Sequence, residues 1–407
     1  MNNFLKQWSE AAFTTIGFFW MALWAFALGY LISSMIQVFV TEKKMQRTMG
    51  DTEAKGVLLG TFFGFISSSC SFAALASAKS LFKKGASFVS SIAFLLASTN
   101  LVIELGIILS IFLGWQFVVG EYTGGILLIL ISWLLIRLIN PKKLIENARK
   151  RLKDDGNEEM DESKSWQKKI QSEKSWAKVS KQYGMEWKMV WKDVTIGFTI
   201  AGIVAAFVPD SFFQTLFVNT GNGNTDFTFF EILEHIVVGP VAAFLTFIGS
   251  MGNIPLAALL FGKGVSFAGV LAFIFSDLVV FPILRINAKY YGWKMSLFIL
   301  FLLFVSLVGT SIILYYAFDM LSILPNPSQI KIQDNEYFKI NYTFYLNLAF
   351  IVLSGFLIYL GFIKRKDVKH MKEMAPKSQL MENILKYVAL LCYVWLGGGL
   401  IVKLFVN

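Results

Sequence analysis

The chain is poor in the residue types that build catalytic, metal and redox sites. Its 407 residues include two cysteines and two histidines, and charged residues make up 16% of the sequence. Cys70 and Cys392 both fall in apolar stretches, which gives no support for a disulfide framework. Two isolated histidines cannot complete a conventional zinc site with them. No phosphate-binding G-x(4)-G-K-[ST] motif occurs, which excludes a nucleotide-driven pump of that type. We expect no cofactor and no enzymatic activity.

Apolar residues are abundant by contrast, at 56% of the sequence, and they cluster in runs long enough to cross a bilayer. The first run follows few polar residues and precedes no small-residue cleavage site, so we interpret it as a span and not as a signal peptide. The eight runs cover residues 13–40, 86–113, 126–139 (extended by 120–125), 194–217, 266–284, 295–316, 342–363 and 384–405. They predict an all-α, multi-pass protein of the inner cell membrane.

One segment of the first half recurs in the second half. Residues 60–97 align with residues 239–276 without a gap, at a constant offset of 179, and twelve of the 38 positions are identical. In the first copy the identical positions are Gly60, Phe65, Ser71, Ala78, Leu81, Phe82, Lys84, Gly85, Ser87, Phe88, Ala93 and Phe94. A duplicated segment with polar breaks in apolar sequence is typical of a transporter binding site.

Basic residues predict which loops face the cytoplasm. They are concentrated near residues 43–55, 140–193, 285–294 and 364–377, and the positive-inside rule places these four loops in the cytoplasm. The loops near 114–120, 219–228 and 318–341 are poor in Lys and Arg, so we expect them outside. The net charge of +10 is therefore interpreted as a topology signal, and no nucleic-acid partner is expected.

This topology predicts a re-entrant hairpin at the beginning of each copy. Residues 57–82 begin and end at cytoplasmic loops, yet they are too few for two crossings at about 1.5 Å per residue. Two half-helices broken near residues 67–71 satisfy both conditions. The second hairpin, broken near residues 249–253, enters from the exterior. We therefore predict an inverted-topology repeat with about eight transmembrane helices and two oppositely oriented hairpins.

The same pattern divides the chain into four parts. Residues 1–140 form the first membrane repeat and residues 194–316 form the second, inverted repeat. Residues 141–193 mix 14 Lys and Arg with 10 Asp and Glu, which is typical of a solvated helical linker. Residues 317–407 add two C-terminal transmembrane helices that have no counterpart in the first half.

Small polar residues at the hairpin breaks and in the following spans are the predicted substrate site. Backbone groups freed at such breaks are tolerated at membrane depth when they line a cavity, and half-helix ends can bind charged solutes. The candidates are Ser68, Ser69, Cys70, Ser71, Ser98, Thr99, Asn100, Ser250, Gly252, Asn253 and Ser276. The alternative is that small residues at these positions only permit close helix packing.

Asp277 is the strongest single candidate for a residue that couples ion binding to transport. A carboxylate at membrane depth is costly unless it is paired, protonated or facing water, so we predict that Asp277 carries a proton or another cation. Glu104, in the equivalent span of the first copy, is the second candidate. The alternative is a carboxyl group that is hydrogen-bonded between helices. Glu231 and His235 share one helix face and could hold a metal or shuttle a proton, but a polar interfacial face is the simpler interpretation.

Several motifs resemble a known family. The first copy contains KKGAS and AFLLASTN, and the second contains GKGVSF, AFIFSD and FPILRINAKYYGW. They resemble prokaryotic predicted permeases, a family that includes the methylarsenite efflux permeases called ArsP. The resemblance covers about residues 10–140 and 190–316 and implies a permease that exports a small solute. Family members commonly carry P-x-C-S-C-G at the first hairpin, where this chain keeps Cys70 alone.

These observations predict a secondary-active permease, driven by protons or another cation, with alternating access around the two hairpin tips. Its expected partners are the bilayer and a small molecule or ion, which the resemblance extends to trivalent organoarsenicals. A passive channel is the alternative. An intramembrane enzyme is disfavoured, because the Ser67–Ser71 cluster would need a nearby base and His235 is expected on the opposite side.

Overall fold

The computed structural model describes residues 2–39, 53–67, 71–83, 85–153, 173–220, 227–246, 250–326, 338, 340, 342–363 and 379–406. All regular structure in these ranges is helical. Three of the predicted site residues, Ser68, Ser69 and Cys70, lie outside the described residues.

The helices form two similar series with additions between and after them. The first series is α1 (Asn2–Phe39), α2 (Glu53–Ser67), α3 (Ser71–Lys83), α4 (Phe88–Asn100), α5 (Ile103–Phe112) and α6 (Trp115–Ile139), and α7 (Lys142–Lys153) follows it. The second series is α8 (Glu173–Phe207), α10 (Phe229–Thr246), α11 (Ser250–Gly262), α12 (Phe267–Phe275), α13 (Phe281–Tyr291) and α14 (Trp293–Met320). A short α9 (Asp210–Leu216) follows α8, a 3₁₀ turn (Ser276–Leu278) follows α12, and α15 (Tyr342–Ile363) and α16 (Gln379–Val406) end the chain.

The two series share local details as well as helix order. Ser87 caps α4 and Ser266 caps α12, and each side chain accepts a hydrogen bond from the backbone amide three residues later. Gly114 and Gly292 cap α6 and α14 with φ of 94° and 90°, a conformation that favours glycine. The sequence duplication is therefore a duplication of structure. The opposite membrane orientation of the two copies stays a prediction.

Five helices are long and apolar enough to cross a membrane, and they lie in α1, α6, α14, α15 and α16. Two further spans arise if the bent pairs α4–α5 and α12–α13, each with a 40° bend, count as one span apiece. The eighth predicted span falls on α8, whose apolar part from Val194 to Phe207 is shorter than a full crossing. The chain is thus an integral membrane protein with five to seven spans by length and composition. Eight spans and re-entrant hairpins remain predictions.

The described helices end and resume at equivalent positions in the two copies. Helix α2 ends at Ser67 and α3 begins at Ser71, and α10 ends at Thr246 and α11 begins at Ser250, again at an offset of 179. Residues 68–70 and 247–249, on which the first predicted break and the edge of the second fall, lie outside the described residues. Residues 250–253, where the rest of the second break was predicted, form the beginning of α11 with Pro255 inside the same helix. A proline near a helix beginning forfeits at most one internal hydrogen bond, so it does not end the helix there.

Glycines bring the first helix of each broken pair against the following span. A β-carbon on Gly60 would lie 2.5 Å from the carbonyl oxygen of Ser90, and one on Gly239 would lie 2.8 Å from the carbonyl oxygen of Gly269. Both the glycines and the carbonyls are related by the offset of 179. Close packing of α2 on α4 and of α10 on α12 therefore explains why this glycine is identical in both copies.

The described parts of the charged segment between the copies are helical. Helix α8 runs without interruption from Glu173 to Phe207, so the expected boundary at residue 193 falls inside a helix. On α7, Arg149 donates a hydrogen bond of 2.8 Å to the carbonyl of Ala86 and lies 4.6 Å from the ring centre of Phe82. Helix α7 also packs against α13 and α14. It therefore contacts both copies of the repeat.

Candidate functional site

One hydrogen bond joins the two copies at their irregular backbone. The Ser71 hydroxyl donates to Oδ2 of Asp277 at 2.8 Å, and both residues are buried. Ser71 is the first described residue of α3, and Asp277 lies in the 3₁₀ turn of the second copy. Two residues that the sequence predicted separately are thus brought into direct contact.

The 3₁₀ turn makes the second copy differ from the first at this point. The offset between copies is 179 at the serine caps Ser87 and Ser266, but 178 at the caps Val102 and Val280. The second copy is therefore one residue shorter in this interval. Helix α4 continues to Asn100, whereas α12 ends at Phe275 and the chain tightens into the turn that holds Asp277.

The Asp277 carboxyl group is enclosed but only half satisfied. Its residue is 2% exposed, and Oδ1 has no hydrogen-bond partner among the described residues. No basic side chain in the described part of the chain pairs with it. Burying a carboxylate without a compensating partner is strongly unfavourable, so this arrangement implies either a bound proton or a bound cation when the site is in use.

Glu121 is a second buried carboxyl group at this site, and the sequence analysis missed it. Its side chain is 0% exposed, and neither carboxylate oxygen has a hydrogen-bond partner within the described ranges. The group interacts electrostatically with Asp277. Gly124, one turn further along α6, lies against the ring of Phe275, two residues before Asp277. The contact between α6 and α12 therefore joins the two segments that carry these carboxyl groups.

Helix α6 also contacts the bend of the first copy. A β-carbon on Gly125 would lie 3.4 Å from Cβ of Asn100 and 2.6 Å from the side chain of Leu101. The Tyr122 hydroxyl donates a hydrogen bond of 3.3 Å to the carbonyl of Val102, at the bend between α4 and α5. One helix thus lies against the irregular backbone of both copies.

The predicted polar residues of α4 are buried, but their hydrogen bonds stay local. Ser98 and Thr99 donate to the carbonyl of Leu95, and the Asn100 amide donates to the carbonyl of Leu96. The Ser276 hydroxyl likewise donates to the carbonyl of Phe273. These contacts resemble the packing alternative more closely than a set of groups aimed at a solute.

The remaining predicted residues occupy neighbouring helices. Ser250 begins α11, and its side chain lies outside the described part of the structure. Gly252 lies close to Gly197 of α8. Asn253 is 1% exposed, and neither its amide oxygen nor its amide nitrogen has a partner among the described residues. Glu104 is buried on α5 with its backbone against Gly29 of α1.

His235 has a structural role that accounts for both ring nitrogens. Nδ1 accepts a hydrogen bond of 3.0 Å from the amide of Ser266, and Nε2 lies 2.9 Å from the carbonyl of Val218. These contacts assign a proton to Nε2. The rings of Phe217 and Phe227 enclose the imidazole. Neither nitrogen is free to act as a base, and the described residues contain no cluster of His, Cys, Asp or Glu that could hold a metal ion.

The apolar helices, the duplicated helix order and the carboxyl groups buried between the copies define a polytopic membrane protein of the permease class. A family model described as a predicted permease, ArsP_1, matches residues 7–316, and the chain belongs to this family. The resemblance found in the sequence motifs is confirmed, and it points to a transporter and not to an enzyme.

Two relatives carry provisional names. A Mycobacterium tuberculosis protein provisionally named permease Rv2963 is 36% identical over 320 residues, which cover 76% of this chain and 77% of that protein. The Escherichia coli protein YraQ, of the UPF0718 group, is 26% identical over 129 residues, which cover 31% and 37% of the two chains. No solved structure matches the chain.

Proposed function

We propose that the chain is a secondary-active permease of the inner cell membrane, which exports a small solute by alternating access between the two copies of the repeat. Asp277 carries the coupling proton or cation in this mechanism. The observation that carries the proposal is the hydrogen bond from Ser71 to Asp277, because it links α3 of the first copy to the irregular turn of the second.

A carboxyl group at this position can couple ion binding to conformation. Ser71 belongs to the first copy and Asp277 to the second, so relative movement of the copies changes the hydrogen bond and the surroundings of the carboxyl group. Ion occupancy then favours one arrangement of the copies over the other. Such differential binding is what a coupled transporter requires, whereas a passive channel needs no ion-dependent change.

The solute class follows from the family resemblance. Trivalent organoarsenicals are the first solutes to test, because the related efflux permeases carry methylarsenite and Cys70 is retained at the first helix break. A single thiolate binds trivalent arsenic less firmly than several would. We therefore include other small ions in the proposed solute class.

The test is a flux screen in everted membrane vesicles that contain the full-length protein. Methylarsenite, divalent metal ions and small anions are supplied with and without an imposed pH gradient. We expect saturable, gradient-dependent uptake of one of these solutes, and at least tenfold slower uptake with Asp277→Asn. Asp319→Asn changes an exposed aspartate at the end of α14 and serves as the matched control.

Three outcomes would contradict parts of this proposal. The absence of gradient-dependent flux for every solute would contradict the permease mechanism. Flux that does not saturate and persists in Asp277→Asn would support a passive channel. Arsenical transport that is unchanged in Cys70→Ser would remove the thiol from the site while leaving the permease function in place.

A further inference from the structure

We propose that Glu121 and Asp277 form one carboxyl pair, contributed by the two copies of the repeat, that binds a single coupling proton. This inference rests on the proposed permease function and extends it by adding a second proton-binding residue and by selecting the proton as the coupling ion.

The geometry supports a shared site. Glu121 lies on α6 of the first copy and Asp277 lies in the 3₁₀ turn of the second, and the two groups interact electrostatically. Three of their four carboxylate oxygens have no hydrogen-bond partner in the described part of the chain, and the fourth accepts from Ser71. The elements that carry the two groups are in contact, since a β-carbon on Gly124 of α6 would lie against the ring of Phe275, two residues before Asp277. Two buried carboxyl groups can hydrogen-bond to each other only when one of them holds a proton, because ionised carboxylates are acceptors alone.

Electrostatics favours one proton for the pair. Two adjacent carboxylates repel each other, and each loses hydration when it is buried, so both penalties fall when one group is protonated. No basic side chain among the described residues pairs with either group to relieve the repulsion. A proton shared by two carboxyl groups needs no ligand beyond their own oxygens, as in other buried carboxyl pairs that hold one proton.

The surrounding titratable groups do not supply a counter-charge. Tyr122, next to Glu121 on α6, interacts electrostatically with Glu121 and with Glu104 of α5, and none of these groups carries a positive charge. Helices α3 and α6, the elements packed against them or against the 3₁₀ turn, and the adjoining turns bear further titratable groups. These are Glu53, Lys55, Lys79, Lys83, Arg137, Lys142, Lys143, Glu146, Arg149, Lys150, Arg151, Glu231, Glu234, His235, Lys263, Lys294, Tyr315, Tyr316 and Asp319. No basic group among them pairs with Glu121 or Asp277, so the pair has no counter-charge in the described part of the chain.

The test observes the proton directly and needs no transported solute. Infrared difference spectra of the purified full-length protein are recorded as a function of pH, because a protonated carboxyl group has a C=O band distinct from the carboxylate bands. We expect a buried carboxyl band in the wild-type protein. Glu121→Gln should move the titration midpoint of Asp277 toward acid by about one pH unit or more, since a neutral neighbour no longer repels the carboxylate.

Asp277→Asn is the reciprocal variant, which should move the midpoint of Glu121 in the same direction and keeps the test valid if Glu121→Gln does not fold. Glu104→Gln changes another buried carboxyl group and should leave the band of the pair in place. A midpoint that is the same in Glu121→Gln as in the wild-type protein would overturn the proposal. An equal shift in Glu104→Gln would also overturn it, because the coupling would then not be specific to the pair.

Failure of this inference can be separated from failure of the permease function. If vesicles show gradient-dependent flux of methylarsenite or another screened solute while the titration midpoints stay independent, the pair is wrong and the permease stands. If no flux occurs but each variant shifts the midpoint of the other group, the pair exists and the proposed transport is wrong.

Discussion

Alanine at Gly60 tests the close contact between α2 and α4. Its β-carbon would lie 2.5 Å from the carbonyl oxygen of Ser90 and 3.3 Å from Cβ of Ala93. The first distance is shorter than β-carbons tolerate, and the obstacle is backbone inside a buried helix, which cannot rotate away as a side chain would. Overpacking of this kind costs about 1–3 kcal/mol. The higher helix propensity of alanine offsets about 1 kcal/mol of this cost, so we expect Gly60→Ala to lower the unfolding free energy by up to about 2 kcal/mol.

The duplication supplies a second test of the same contact. A β-carbon on Gly239 would lie 2.8 Å from the carbonyl oxygen of Gly269 and 3.4 Å from Cβ of Phe273. Because this approach is slightly less tight, we expect Gly239→Ala to destabilise the protein less than Gly60→Ala does. Gly184 is the matched control, since a β-carbon there would meet nothing within 4 Å and the residue is also helical. Gly184→Ala should stabilise the protein by up to about 1 kcal/mol.

The measurement is the unfolding free energy in mixed micelles, obtained by titration with SDS and followed by far-ultraviolet circular dichroism. The expected order of stability is Gly184→Ala at or above wild type, then Gly239→Ala, then Gly60→Ala. Equal stability of Gly60→Ala and Gly184→Ala would refute the argument, because it would mean that α2 does not approach the carbonyl of Ser90.

Two further variants address contacts outside the carboxyl pair. Arg149→Ala should lower the unfolding free energy by about 2–3 kcal/mol in the same assay, because it removes a charge-assisted hydrogen bond and a cation–π contact with Phe82. The control is Lys150→Ala on the exposed face of α7, which should be close to neutral. His235→Ala should lower the unfolding free energy by about 3 kcal/mol or more, because it leaves the amide of Ser266 buried without an acceptor and opens a cavity. A smaller loss of stability than in Arg149→Ala would contradict the structural role of the imidazole.

Most of the architecture follows from local sequence rules. The long apolar runs predict the membrane helices, since each run can satisfy its backbone hydrogen bonds only as a helix in lipid. The duplicated segment predicts equivalent breaks, and the identity of Gly60 and Gly239 marks where helices touch. The second break was predicted near residues 249–253, but residues 250–253 form the beginning of α11. Pro255 is compatible with this helix because it lies near its beginning.

The sequence predicted individual residues of the candidate site but not the contacts between them. Asp277 stood out because a carboxylate in an apolar run is rare, and Ser71 because it follows a helix break. Their contact spans 206 residues of sequence, so no local pattern could pair them. Glu121 was missed because residues 120–125 were treated as the edge of a short span. The sequence does contain a sign of its burial. Glycines at positions 120 and 124 mark a helix face that packs closely against a neighbour, and Glu121 lies beside them.

The two copies share a scaffold but differ where acidic groups are buried. Asp277 aligns with Ser98 of the first copy at the offset of 179, and Glu121 aligns with Ile299 of the second copy at the offset of 178 that relates α6 to α14. Each copy therefore contributes one carboxyl group that the other lacks. Because the proposed pair spans the copies, any movement of one copy against the other changes the separation of the two groups and hence the free energy of holding one proton or none. Divergence at two positions of a duplicated fold is thus sufficient, in this mechanism, to link proton binding to the arrangement of the copies.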